Sequence, residues 1–135
     1  MPKPNNFSAQ YRIYYEDTDA GGVVYYANYL KFFERARSDF LRSLQISQSE
    51  LAAQENLVFA VRKCEIEYLA PARLDDLIST SVLVTEIRAA SIFMEQEMHK
   101  SEEILSRLRI EIVCLAADIF KPKKIPEKLK NLLNV

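Results

Sequence analysis

Between Tyr29 and Leu44 the apolar residues Tyr29, Phe32, Phe33, Ala36, Phe40 and Leu44 recur at intervals of three and four. Lys31, Arg35, Asp39 and Arg42 fall on the other side. This spacing predicts an amphipathic helix with one broad apolar face, and Asn28 is placed to cap it. A second, short helix is expected over about residues 49–54, with Ser47 or Ser49 as cap and Glu50 in its first turn.

Elsewhere the period is two. A first strand is expected from Gln10 to Tyr15. From Leu57 onward, Leu57, Phe59 and Val61 define one phase and Cys64, Ile66 and Tyr68 the other. The slip around Arg62-Lys63 predicts a bulge or strong bend. Pro71 and Asp75-Asp76 mark a connection. Ile78, Thr80, Val82 and Val84 then predict a third strand, and Ile92, Met94, Gln96 and Met98 a fourth. In the fifth, Leu108, Ile110, Ile112 and Cys114 face one way while Arg107, Arg109 and Glu111 face the other. A basic loop, Lys121-Pro122-Lys123-Lys124, leads to Pro126, which suits the first turn of a short helix through Leu129, Leu132 and Leu133. One long helix among several antiparallel strands is an α+β architecture. A single sheet around one helix leaves an open edge, and pairing two copies covers it, so at least a dimer is expected.

Composition narrows the field. The chain has 135 residues, 49% of them hydrophobic and 27% charged, which suits one ordinary globular domain over 1–135. The first eight residues are expected to be flexible. A net charge of −1 gives no overall attraction to nucleic acid. No apolar run is long enough to span a bilayer, and Met1 to Asn6 lacks the apolar core of a leader, so the expected location is the cytoplasm. Cys64 and Cys114 are expected to be buried free thiols. With one histidine, His99, they make no metal-ligand spacing. His99 itself is expected at a surface or strand edge, and no Gly-x-Ser-x-Gly elbow is present.

The run from Tyr14 to Leu30 carries the candidate chemistry. A strand-like segment passes through Glu16, Asp17 and Asp19 into the only two glycines, Gly21 and Gly22, and then into the long helix. Adjacent glycines point to positive φ or to close approach of a ligand, or to both. A carboxylate near a helix start is stabilised by its free amides. An Asp-x-Asp pair by itself is common in turns.

Tyr14-Tyr15-Glu16-Asp17-Thr18-Asp19-Ala20-Gly21-Gly22-Val23-Val24-Tyr25, followed by Ala27-Asn28-Tyr29-Leu30 and Phe33-Glu34-Arg35-Ala36-Arg37, closely resembles a family signature. The family is the hotdog-fold acyl-CoA thioesterases of the YbgC and 4-hydroxybenzoyl-CoA thioesterase type. The resemblance implies an antiparallel sheet of about five strands wrapped around one central helix, in homodimers that assemble to a homotetramer. It implies hydrolysis of an acyl-CoA to free acid and coenzyme A, with no cofactor beyond the coenzyme A of the substrate. Asp19 takes the position of the catalytic carboxylate, as nucleophile or general base. Asp17 is the neighbouring alternative, with bonding of the turn backbone as its other role. Gly22, Val24 and Tyr26 cover the turn and the amides that would polarise the carbonyl. In the YbgC branch a histidine stands where this chain has Tyr26, and a tyrosine matching Tyr15 is its partner beside the aspartate. A phenol with a pKa near about 10 is a poor base at neutral pH, which shifts the expected role of Tyr26 to its amide. Glu34 matches a family-like position with a supporting polar role.

Coenzyme A phosphates call for cations. The resemblance points to Arg88, and the basic loop offers Lys121, Lys123 and Lys124. An acyl carrier protein is a further expected partner. The competing readings are a binding module for acyl-CoA or acyl carrier protein without turnover, and an envelope-associated interaction protein.

Overall fold

The computed structural model describes residues 6–133. Along the chain come β1 (Asn6–Arg12), α1 (Tyr29–Ser43), α2 (Gln48–Glu55), β2 (Leu57–Tyr68), β3 (Leu77–Ile87), β4 (Ser91–Lys100), β5 (Glu103–Ala116) and α3 (Glu127–Leu133). The five strands form one antiparallel sheet in the order β1-β3-β4-β5-β2. Its two edges are therefore β1 and β2. Three strands joined by short connections lie side by side, and the first two strands flank them.

One face of the sheet is covered by α1. Phe32, Phe33, Ala36 and Phe40 are buried on the helix, against Ile78, Val82, Met98 and Leu108 among the sheet residues. Each large side chain withdrawn from water this way contributes on the order of 2 kcal/mol, so this contact dominates the core. One polar crossing point is built into it. Gln96, 1% exposed, donates from Nε2 to Phe33 O at 3.0 Å and accepts Arg37 Nη1 at 2.9 Å. Burial holds the Arg37 pKa below its ordinary value. Its guanidinium lines a cavity of about 120 Å³ with Phe59, Val61 and Met94.

The predicted elements are present with local corrections. The first strand begins at Asn6 rather than Gln10 and ends at Arg12, because Asn6 to Arg12 pair with Leu83 to Leu77. Asn6, Phe7 and Ser8 are thus part of the sheet and not of a flexible leader; residues 1–5 lie outside the described residues. Ser47, not Ser49, caps α2, its Oγ accepting Glu50 N at 3.4 Å. The register of β2 shifts between Val61 and Lys63, as the change of phase required. Pro126 directly precedes α3. His99 sits beside Glu97 at 3.0 Å, and Glu97 also accepts Arg107. No helix among the described residues is long and apolar enough to cross a membrane.

Cys114 is buried, whereas Cys64 is exposed. Both face the helix side of the sheet, since Cys64 pairs with Ile110, and Cys114 with Phe59. Cys64 lies on the edge strand, where its face stays open to solvent although partial burial still raises its thiol above the ordinary value, so alternation reported its face correctly and its burial incorrectly. Burial raises the Cys114 thiol to a pKa of about 11, which leaves it protonated and unreactive at neutral pH. A thiol reagent at pH 8 is expected to modify one cysteine per native chain and two per denatured chain. Loss of the native signal in Cys64→Ser checks the assignment.

Candidate active site

Two short single-turn helices frame the glycine segment. Tyr15–Asp17 forms the first and Tyr26–Asn28 the second, which runs directly into α1. The Asp17 carboxylate is buried and accepts Tyr14 N at 2.8 Å through Oδ2. Its carbonyl accepts two donors from the helix side, Tyr25 N at 3.1 Å and Asn28 Nδ2 at 3.0 Å. The Asp17 backbone carbonyl therefore ties the two arms together, while its carboxylate closes the short helix on Tyr14 N. Asn28 contributes to the same tie and makes no side-chain cap on α1, which corrects the expected capping role.

Between the arms the chain folds back on itself. Thr18 and Val24 form an antiparallel bridge, and Asp19 N donates to Val23 O at 2.9 Å. Gly22 N closes the turn on Asp19 O at 3.1 Å, with φ of +78° at Gly22. The outer side of the turn is held by the connection before β3. Val24 N donates to Ala72 O at 2.8 Å, Leu74 N to Gly22 O at 3.2 Å, and Val23 bridges Arg73.

Asp19 is exposed. Oδ1 accepts Gly21 N at 2.8 Å, an Asx-type bond that fixes the carboxylate over the turn. It does not cap the helix, so the expected helix-start position becomes a turn position. A side chain at Gly21 would bring its Cβ to 3.3 Å from the same oxygen. The first glycine thus gives the carboxylate room, and the second gives the turn its left-handed residue.

The expected carbonyl-polarising amides separate clearly. Val24 N is committed to Ala72 O, and Tyr25 N to Asp17 O. Gly22 N is committed to the turn. Tyr26 N and Ala27 N, at the start of the short helix, meet no acceptor among the described residues. This corrects Val24 as an amide donor. Its side chain, 3% exposed, belongs to the core instead.

Aromatic rings surround this helix start. Tyr26 packs on Tyr25 at 4.9 Å between centroids and meets the edge of Tyr68 at 6.3 Å; Tyr68 in turn meets Tyr29 at 5.0 Å. The Tyr68 hydroxyl donates to Tyr26 O at 2.8 Å, and Ala72 N donates to the Tyr29 hydroxyl at 3.0 Å. Tyr14, Tyr15 and Tyr26 all stand out into solvent. Tyr68 had no local mark in the sequence beyond its strand phase; its partner lies 42 positions away.

The candidate phosphate cations gather at the opposite end of the sheet. Arg88 is bonded through Nε to Glu86 and lies over the Phe93 ring at 4.9 Å. Ile125 N donates to Ala89 O at 2.8 Å, which brings the basic loop beside the Arg88 hairpin. Lys121 and Lys124 are exposed there. Lys123 differs: its ammonium serves the carbonyls of Glu55 and Asn56 at the end of α2, so it is spent on structure. Glu34 accepts Ser38 Oγ at 2.6 Å on α1. No cluster of three or more metal-binding side chains occurs among the described residues.

The profile of the thioesterase-like superfamily matches residues 14–133. The chain belongs to that superfamily. This thioesterase-like chain is 42% identical over 126 residues to the acyl-CoA thioesterase YbgC of Haemophilus influenzae, covering 93% of each. It is 43% identical over 119 residues to the acyl-CoA thioester hydrolase YbgC of Escherichia coli O157:H7, covering 87% of this chain and 88% of that one. Among solved structures, a probable thioesterase from Bartonella henselae superposes with a TM-score of 0.86 at 38% identity, over 90% of this chain and 99% of the other. A 4-hydroxybenzoyl-CoA thioesterase variant solved with 4-hydroxybenzoyl-CoA reaches 0.91 at 16% identity, over 96% and 99%. At that identity it speaks for the fold alone. The expected hotdog architecture and family are both borne out.

The turn yields a direct test. Gly22 has open space for a methyl group but a φ that L-residues avoid, so Gly22→Ala is expected to cost about 1 kcal/mol through backbone strain. Gly21→Ala keeps ordinary backbone angles but crowds Asp19. Chemical denaturation is expected to rank Gly22→Ala as the less stable of the two.

Proposed function

We propose that this protein hydrolyses acyl-CoA thioesters to a free acid and coenzyme A. The observation that carries the reading is an exposed carboxylate on a rigid turn, joined through the Thr18–Val24 bridge to a helix start with two unclaimed amides. The YbgC relatives, which are named for this reaction and match over most of their length, support it.

Asp19 acts on the thioester carbonyl, either attacking it and expelling coenzyme A thiolate to leave a mixed anhydride that water hydrolyses, or removing a proton from the water that attacks it and displaces the thiolate. The tetrahedral oxyanion is held by Tyr26 N–H, with Ala27 N–H adjoining, and the helix dipole adds to the same end. The Tyr26 side chain walls the site, and Tyr15 lines its approach.

The binding of coenzyme A follows from the sheet. Arg88 lies at the far end of β3 from the Asp19 turn, roughly 30 Å away at the rise of an extended strand. Within one chain the two ends do not meet. β2 is an open edge with Val61 and Tyr68 exposed. Two-fold antiparallel pairing across that edge would set the partner's Leu57 end against this chain's Tyr68 end. Leu57 lies at the same sheet end as Arg88, because β2 Ala60 and β4 Ser91 both pair with Val113. A homodimer would therefore bring the partner's basic hairpin and loop, with Lys121 and Lys124, toward this Asp19. Further pairing to a tetramer, service of an acyl carrier protein and a cytoplasmic location belong to the same reading.

A thiol-release assay with butyryl-CoA, decanoyl-CoA and 4-hydroxybenzoyl-CoA tests the proposal. Turnover of at least one is expected, and Asp19→Asn should lower it about 100-fold or more, the scale of a lost acid–base group. Tyr26→Phe should stay close to wild type. Failure of wild type on the whole panel would favour the non-catalytic binding module; full activity in Asp19→Asn would move the chemistry elsewhere.

A further inference from the structure

We infer that Tyr68, on the open edge strand, is a positioning residue for the amides that polarise the thioester carbonyl. The inference rests on the hydrolase reading above. Its basis is the hydrogen bond from the Tyr68 hydroxyl to Tyr26 O, 2.8 Å long and spanning 42 positions.

Two consecutive peptide units carry the unclaimed N–H groups. In the unit Tyr25–Tyr26, the carbonyl of Tyr25 accepts Asn28 N at 2.8 Å, and its other end is Tyr26 N–H. In the unit Tyr26–Ala27, the carbonyl accepts Tyr68, and its other end is Ala27 N–H. Each free donor is thus the far side of a peptide plane held by its own carbonyl. A bond accepted at a carbonyl also draws electron density from the N–H of the same unit, which strengthens it as a donor. Preset donors are what oxyanion stabilisation depends on, since a donor that must first reorient gives up part of its advantage.

The hydroxyl is held in place by packing that does not depend on it. The Tyr68 ring meets Tyr29 edge-on at 5.0 Å and 82°, and Tyr26 at 6.3 Å and 79°. Tyr29 is 4% exposed and is fixed by the bond from Ala72 N. Burial, with Tyr29 and Tyr26 nearby, also keeps the phenol above its ordinary pKa, so it stays a donor at neutral pH. Phenylalanine at this position would keep the ring contacts and remove only the bond to Tyr26 O. Because Tyr68 ends β2, it also couples the sheet edge to the helix start.

Tyr68→Phe separates positioning from folding. With the panel member that wild type hydrolyses fastest, kcat is expected to fall about three- to tenfold, the range of one lost hydrogen bond, with KM within twofold of wild type. Thermal stability should be essentially retained, and in amide NMR spectra the Tyr26 and Ala27 resonances should move while Gly22 stays. Unchanged kcat, a loss confined to KM, or unmoved Tyr26 and Ala27 resonances would each overturn the role of Tyr68. An inactive wild type would instead overturn the hydrolase reading, which keeps the two failures distinguishable.

Discussion

Burial of the aromatic face of α1 against one side of the sheet is the constraint on which the rest depends. Phe32, Phe33 and Phe40 are almost wholly withdrawn from water. Once that face is seated, the start of α1 has a fixed place and direction. The free amides of Tyr26 and Ala27 then point from a rigid base, not from a loop. Gln96 pins the same interface at its middle by joining Phe33 O to Arg37. That polar contact sets helix register where apolar packing alone would tolerate small slips.

The site is built outward from this base by hydrogen bonds that each connect distant parts of the chain. Asp17 links the arm before the glycines to the arm after them. Ala72 and Leu74 hold the turn from the third side, and Tyr68 reaches across from the sheet edge. The two aspartates therefore differ in kind. Asp17 is buried, its carboxylate bonded to Tyr14 N; Asp19 is exposed, its carboxylate bonded to the turn amide of Gly21. Their environments separate the structural carboxylate from the one left available for chemistry.

Much of this was legible in the order of residues. The three- and four-residue spacing from Tyr29 to Leu44 identified α1, and the change of phase at Arg62-Lys63 located the bulge, because both periods follow from local geometry. Paired glycines marked the tight turn, and Gly22 has the positive φ they suggested. The misses have a common cause. Asn28 looked like a cap but bonds to Asp17, and Lys123 looked like a free cation but caps α2. Val24 N looked available but is claimed by Ala72. In each case a local pattern was right about the group and silent about its distant partner. Cys64 failed differently: alternation assigns a face, and only the position of β2 at the edge decides whether that face is covered.

The sequence by itself determined the elements, the family signature and the identity of the candidate carboxylate, since these depend on residue type and short spacing. The tertiary structure decided which amides remain free, which aspartate is exposed, and which two strands form the edges of the sheet. It also decided that Tyr68 meets Tyr26. Those outcomes depend on contacts across many positions, where hydrogen-bond donors find partners that no local pattern records.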